Sequence, residues 1–198
     1  MADTSPQRVY RAACPGCGAP VEFRSAQSAY AVCSFCRSTI VRDGPTLSRI
    51  GKMAEVFEDY SPLQLGASGR WQDKAFTLVG RLQYKGETGT WTEWHAVFDD
   101  GSSSVLGEDN GSYVYSVPAQ LGREAPPAAD LRVGARTSVA GKPFDVASNV
   151  QVALISAQGE LPKLPPLGQT FAMVELRSSE GEVVSLDYGT TPPVVSRG

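Results

Sequence analysis

Four cysteines, all within the stretch "CPGCGAPVEFRSAQSAYAVCSFC", constrain this 198-residue chain more than any other feature. They are Cys14, Cys17, Cys33 and Cys36, two C-x2-C pairs separated by fifteen residues. That spacing is read as a zinc site. Two thiolates two residues apart can grip one ion from a tight turn, and two such turns complete a tetrahedron with metal–sulfur bonds of about 2.3 Å. Gly16 and Gly18 permit the turn conformations of the first knuckle. Between and after the knuckles, "PVEFR", "YAVC" and "STIVR" read as short strands, the layout of a zinc ribbon over residues 8–43. So small a unit lacks a core of its own, and a bound zinc would supply roughly 10–16 kcal/mol of folding energy. Four protein ligands close the coordination sphere, which makes the expected role of the metal structural. Two disulfides would require an oxidising compartment. A thioredoxin-like motif explains one pair but not the other, and rubredoxin-type iron suits the same four thiolates.

Beyond the ribbon, residues 44–61 form a connector. In "TLSRIGKMAEVFEDY" (46–60) the apolar residues Leu47, Ile50, Ala54 and Phe57 recur at helical spacing, which predicts an amphipathic helix weakened by Gly51. From residue 62 the pattern becomes β. "FTLVGRLQY" and "SYVYSV" alternate apolar and polar residues, and "KGETG", "DDGS" and "EDNGS" are turn signals. A first β unit is expected over 62–118, a proline-containing surface linker over 119–130 and a second β unit over 131–195. The two units look like a tandem. "KAFTL" (74–78) matches "KPFDV" (142–146), and Gly101 and Gly181 each precede a leucine by five residues. The second copy is twelve residues longer, which "QGELPKLPPLGQ" (158–169) could absorb as a loop. The fold class is therefore mainly β: a ribbon followed by one or two small antiparallel barrel or sandwich units, arranged as a pseudo-repeat.

Charge divides along the same line. Residues 1–52 hold seven Lys/Arg against three Asp/Glu, whereas the whole chain carries −3. A basic head can meet nucleic acid, but no basic–aromatic stripe accompanies it and the isoelectric point is about 5.2. The start "MADTSPQRVY" lacks a signal-peptide layout, so the expected compartment is the reducing cytoplasm.

The remaining chemistry centres on "WTEWHAVFDDG" (91–101), which holds the chain's one histidine. Strand alternation puts Trp94, Ala96 and Phe98 on a core face, and Trp91, Glu93 and His95 on an opposite, partly exposed face that could contact a partner. Glu93 and His95 could approach each other as a general-base pair, but the thiols are committed to metal and no nucleophile elbow, P-loop or dinucleotide fingerprint is present. No catalytic residue is assigned. The turn acids Asp99, Asp100, Glu108 and Asp109 are a candidate site for a cation or a polyamine.

The ribbon followed by "LQLGASG", "FTLVGRLQY", "WTEWHAVFDDG", "VLGEDNGSYVYS", "AQGELP" and "VVSLDYG" resembles domain-of-unknown-function family 4178 over about residues 12–195. The resemblance implies a bacterial protein with no assigned enzymatic activity, in an envelope-stress or polyamine-linked setting, with a location peripheral to the inner membrane as one expectation. Two departures stand out: Val105 replaces a tryptophan common in the family, and "TPPVVSRG" stops where members usually continue. The expected function is a non-enzymatic zinc-ribbon binding module or scaffold for a protein partner. A nucleic-acid-associated ribbon protein and an accessory to a polyamine enzyme are the alternatives. In the scaffold reading, Cys→Ser at any ligand unfolds the ribbon and leaves the β region largely intact.

Overall fold

Two hairpins carry the cysteines in the computed structural model, which describes residues 9–56 and 60–198. β1 (Tyr10–Ala13) pairs with β2 (Pro20–Phe23) around the first knuckle, and β3 (Tyr30–Val32) pairs with β4 (Ser38–Asp43) around the second. Val21, Phe23, Ala31 and Ile40 join Cys14 and Cys33 in a small core of their own.

The connector is not the expected helix. Thr46–Lys52 is strand β5, paired along β4 and largely exposed. Residues 45–52 follow a tight turn at Gly44, and Thr46 and Ile50 are β-branched, so pairing with β4 overrides the weak helical spacing. Residues 57–59 of the expected helix lie outside the described residues, and no α-helix occurs among those described.

The rest is ten strands in two runs of five: β6 (Ser68–Trp71), β7 (Lys74–Gly86), β8 (Gly89–Phe98), β9 (Ser103–Asp109) and β10 (Ser112–Pro118), then β11 (Arg136–Val139), β12 (Lys142–Leu161), β13 (Thr170–Arg177), β14 (Val183–Asp187) and β15 (Val194–Arg197). The tandem reading is visible bond by bond. Gly66 N donates to Leu78 O and Leu78 N to Ala67 O, at 2.8 and 2.9 Å. Gly134 N to Val146 O and Val146 N to Ala135 O, both 2.9 Å, repeat this sixty-eight residues on. Each run opens with a two-residue hairpin whose turn residues have positive φ, Gln72–Asp73 and Ala140–Gly141, as strand twist requires. Each long strand then shifts register at the equivalent place, after Leu78 and after Val146. The later hairpins match too, with Gly101 N donating to Phe98 O and Gly181 N to Ser178 O.

The two runs are not separate bodies. β7 pairs with β12 and β10 with β15, so β12-β13-β14-β15-β10-β9-β8-β7 closes into a ring of eight hydrogen-bonded strands. Each register shift turns the second half of its strand toward the other run. Leu78, Trp94 and Ala96 form a core for the first run, and Phe144, Val146, Val174, Leu176, Val184 and Leu186 one for the second. Leu82, Tyr84, Val152, Leu154, Ala157 and Leu161 form a shared one.

Two boundaries change as a result. The residues expected to loop at 158–169 remain strand as far as Leu161. The 119–130 segment is more than a surface linker, because Leu121 is buried in the second run's core and Tyr188 Oη donates to Pro126 O at 2.6 Å.

The cysteine hairpins are part of the same sheet. β3 pairs with the end of β12, matching Val32 with Gly159, Ala31 with Glu160 and Tyr30 with Leu161. Val32 and Met53 pack into the shared core. Glu160, also buried, accepts hydrogen bonds at Oε2 from the amides of Arg24 (2.7 Å) and Ser25 (3.1 Å).

Candidate metal centre

Each knuckle closes with the same pair of backbone bonds. Cys14 N donates to Ala19 O and Gly18 N to Cys14 O, both 2.8 Å; Cys33 N donates to Ser38 O at 3.0 Å and Arg37 N to Cys33 O at 2.9 Å. The corner residues Gly18 and Arg37 both have positive φ, so only the first knuckle uses glycine at that point. The two turns face each other and bring all four Sγ atoms within 4.8 Å of one another. The Cys14–Cys36 and Cys17–Cys33 sulfurs are each 3.8 Å apart. A tetrahedron with 2.3 Å metal–sulfur bonds has edges of about 3.8 Å. The cluster could therefore hold a metal ion.

The four thiols differ electrostatically. The Ser38 hydroxyl and amide pull the Cys36 thiol down to about 6. The Ala19 amide lowers Cys17, but the neighbouring thiols and burial together push it up to about 12. All four could be thiolates together only with a cation among them. Cys14 and Cys33 are buried while Cys17 is exposed, so the site lies against the small core with one edge toward solvent. An all-thiolate tetrahedron suits zinc and iron alike.

The other candidates fall differently. Trp94, Ala96 and Phe98 are core, but the opposite face of β8 is not a contact surface. Trp91 stacks on Tyr84 with ring centroids 5.5 Å apart, and His95 is 4% exposed. Ring closure covers the face that alternation left open. Glu93 and His95 have separate partners: Glu93 lies 4.0 Å from Lys163 Nζ, and His95 Nδ1 lies 3.2 Å from the backbone oxygen of Glu160. The acids form two distant pairs rather than a cluster. Asp99 and Asp100 precede β9, and Asp100 takes Lys74 at 2.9 Å. At the far end of β9, about 20 Å on at 3.3 Å per residue, Glu108 accepts from Ser61 Oγ (2.6 Å), Trp94 Nε1 (2.9 Å) and Tyr113 Oη (3.1 Å). Asp109 accepts from Asn110 at 2.9 Å. No common cation site results from these four.

Groups that the sequence left unmarked are the buried Glu160 and Asp187 and the half-buried Lys163. Lys163 sits beside prolines in a segment that reads as loop, and nothing local shows that it meets Asp187 twenty-four residues away. "LQLGA" (63–67) against "LRVGA" (131–135) would have anchored the repeat more firmly than the fragments compared above.

His95 makes one clean expectation possible. Burial holds its pKa below the usual 6.5, and its Nε2 has no hydrogen-bond partner among the described residues. The unfolded chain therefore takes up a proton first as pH falls. The stability that neutral His95 supports is complete above about pH 6.5 and is lost as pH drops through the lower folded value, with a slope of up to about 1.4 kcal/mol per pH unit. Burial raises Glu93 and Glu160, which work in the opposite sense as pH falls. The measurement is thus a difference: urea midpoints of the wild type minus those of His95→Gln from pH 7.5 to 5. A flat difference would remove the assignment.

Among the described residues, no helix is long and apolar enough to cross a membrane. The family model for a domain of unknown function, DUF4178, matches residues 64–198, so the match covers the ring and stops short of the cysteine hairpins. No curated protein and no solved structure matches the chain.

Proposed function

The chain belongs to the DUF4178 family, and from that premise we propose that it is a non-enzymatic binding module whose cysteine hairpins form a zinc ribbon with a structural zinc. The observation that carries the metal is the 3.8 Å sulfur spacing within a closed four-thiolate set. What supports a docking role is the surface of the ribbon. Phe35, between the cysteines of the second knuckle, is 72% exposed, and Ile50 on β5 is 55% exposed. Large apolar side chains at a rigid metal-held turn are what a protein partner can bury. The +4 charge of residues 1–52 would favour an acidic surface on that partner.

Three measurements test this. Metal analysis of the purified protein should give one zinc per chain; iron in its place, with visible absorption, would correct the metal. Phe35→Ser should keep the metal and the fold but lose partners that the wild type retains from its native cell extract. Steeply salt-dependent retention on DNA or RNA would instead favour the nucleic-acid reading.

A further inference from the structure

Inside the ring, β8 and β14 lie four strands apart in either direction, so they face each other across it. Glu93 on β8 and Asp187 on β14 both reach Lys163, which comes from the segment between β12 and β13. The Asp187 side chain is 5% exposed, and those of Lys163 and Glu93 are each 15% exposed. Two carboxylates thus converge on one ammonium, leaving the group one positive charge short. Tyr84, on β7 next to β8, is 0% exposed and its hydroxyl has no hydrogen-bond partner among the described residues; burial first, then the charges of Glu93 and Asp187, hold its pKa above the usual value. Donors and acceptors that converge on a buried point and are not all satisfied mark a place built for a ligand.

We propose that the interior of the ring is a binding site for a primary alkylammonium group, filled in this chain by its own Lys163. The ammonium carries three N–H donors: one goes to Asp187, Glu93 lies 4.0 Å away as an ion partner, and the Tyr84 hydroxyl stays unbonded with Lys163 in place. A guanidinium is too broad for a point of convergence, and a quaternary ammonium has no donor. The tether gives Lys163 a high effective concentration, so a free ammonium competes only when Lys163 is gone. The segment that presents it, "LPKLPPLGQT" (161–170), is held back on the ring by Gly168 N donating to Leu154 O at 3.0 Å.

Chemical rescue tests the site. Lys163→Ala removes three methylenes and the ammonium, which propylammonium replaces. Propylammonium at tenfold its Kd should raise the Tm of the variant by about 3–6 °C. Tetramethylammonium and sodium chloride at equal ionic strength should not, and the wild type should not respond. In Lys163→Ala/Asp187→Asn the rescue should disappear. If Lys163→Ala does not fold alone, refolding yield is the readout, and recovery with propylammonium only supports the site. Equal effects of the three salts, no effect of any, or a wild-type shift as large as the variant's would overturn it.

Discussion

If the four cysteines hold a metal as proposed, stripping it, by chelation or by Cys33→Ser, is expected to unfold the cysteine hairpins and also to lower the thermal midpoint of the ring by about 10–35 °C. The first effect follows from size: a core of six buried residues cannot hold two short hairpins without the metal's contribution. The second follows from the seam. Val32 and Met53 leave the shared core, at about 1.5–3 kcal/mol each. The Glu160 carboxylate loses the Arg24 and Ser25 amides, a further cost of roughly 1–3 kcal/mol for a buried acceptor left unpaired. At about 2–4 °C per kcal/mol for a body of this size, the midpoint shift follows. Trp91 and Trp94 lie in the ring and Trp71 on β6, which pairs with β7, so tryptophan fluorescence reports on that body without interference from the hairpins. A tryptophan-detected midpoint unmoved by chelation would show that the seam carries no energy. Loss of the native tryptophan signal at 25 °C would show one cooperative body. The sequence alone suggested independence, because a ribbon reads as a self-contained bead; pairing of β3 with β12 is a contact across more than a hundred residues.

The same distinction explains what else was legible. The clustering of Cys14, Cys17, Cys33 and Cys36 was readable because a four-cysteine cluster of this kind encodes its geometry in local spacing, and each knuckle closes within six residues. The β class and the pseudo-repeat were readable from period-two alternation and paired turn signals. Ring closure was not. It depends on the register shifts after Leu78 and Val146, where one extra residue exchanges the faces of a strand. The closure it permits covers His95 with Glu160 of β12, on a face of β8 that simple alternation had left partly open. Lys163 was illegible for another reason: a lone charged residue among prolines looks like solvated loop, and only the folded ring brings two acids to it. The β5 error is a competition that propensity lost to pairing. With β4 exposing an unpaired edge, a weakly helical segment containing Gly51 gains more from the ladder than from a helix.

Ring closure itself rests on two glycines, and Gly80→Ala or Gly159→Ala is expected to be among the most damaging substitutions in the chain. β7 and β12 meet with Gly80 opposite Gly159. A Cβ on Gly80 would lie 1.9 Å from Glu160 O, and one on Gly159 would lie 2.2 Å from Val79 O. Both obstacles are backbone, so no rotamer change relieves them, and the strands must part. Gly159 also has φ +70°, where a side chain costs roughly 1–2 kcal/mol before any clash. Parting the strands there disturbs the neighbouring pairing of β3, the Glu160 seam and the His95 contact to the Glu160 oxygen. Each substitution should therefore cost about 4 kcal/mol or more, a magnitude reserved for a few named mechanisms such as overpacking against an unyielding neighbour. Gly107→Ala is the matched control. It is also a glycine within a strand of the ring, but its nearest neighbour would be Val114 O at an ordinary 3.7 Å. That change should stay within about 1 kcal/mol of neutral. Urea unfolding followed by tryptophan fluorescence compares the three directly. Gly80→Ala and Gly107→Ala with equal midpoints would mean that β7 and β12 do not close the ring as described, whereas loss of soluble Gly80→Ala and Gly159→Ala beside a stable Gly107→Ala places the closure at this crossing.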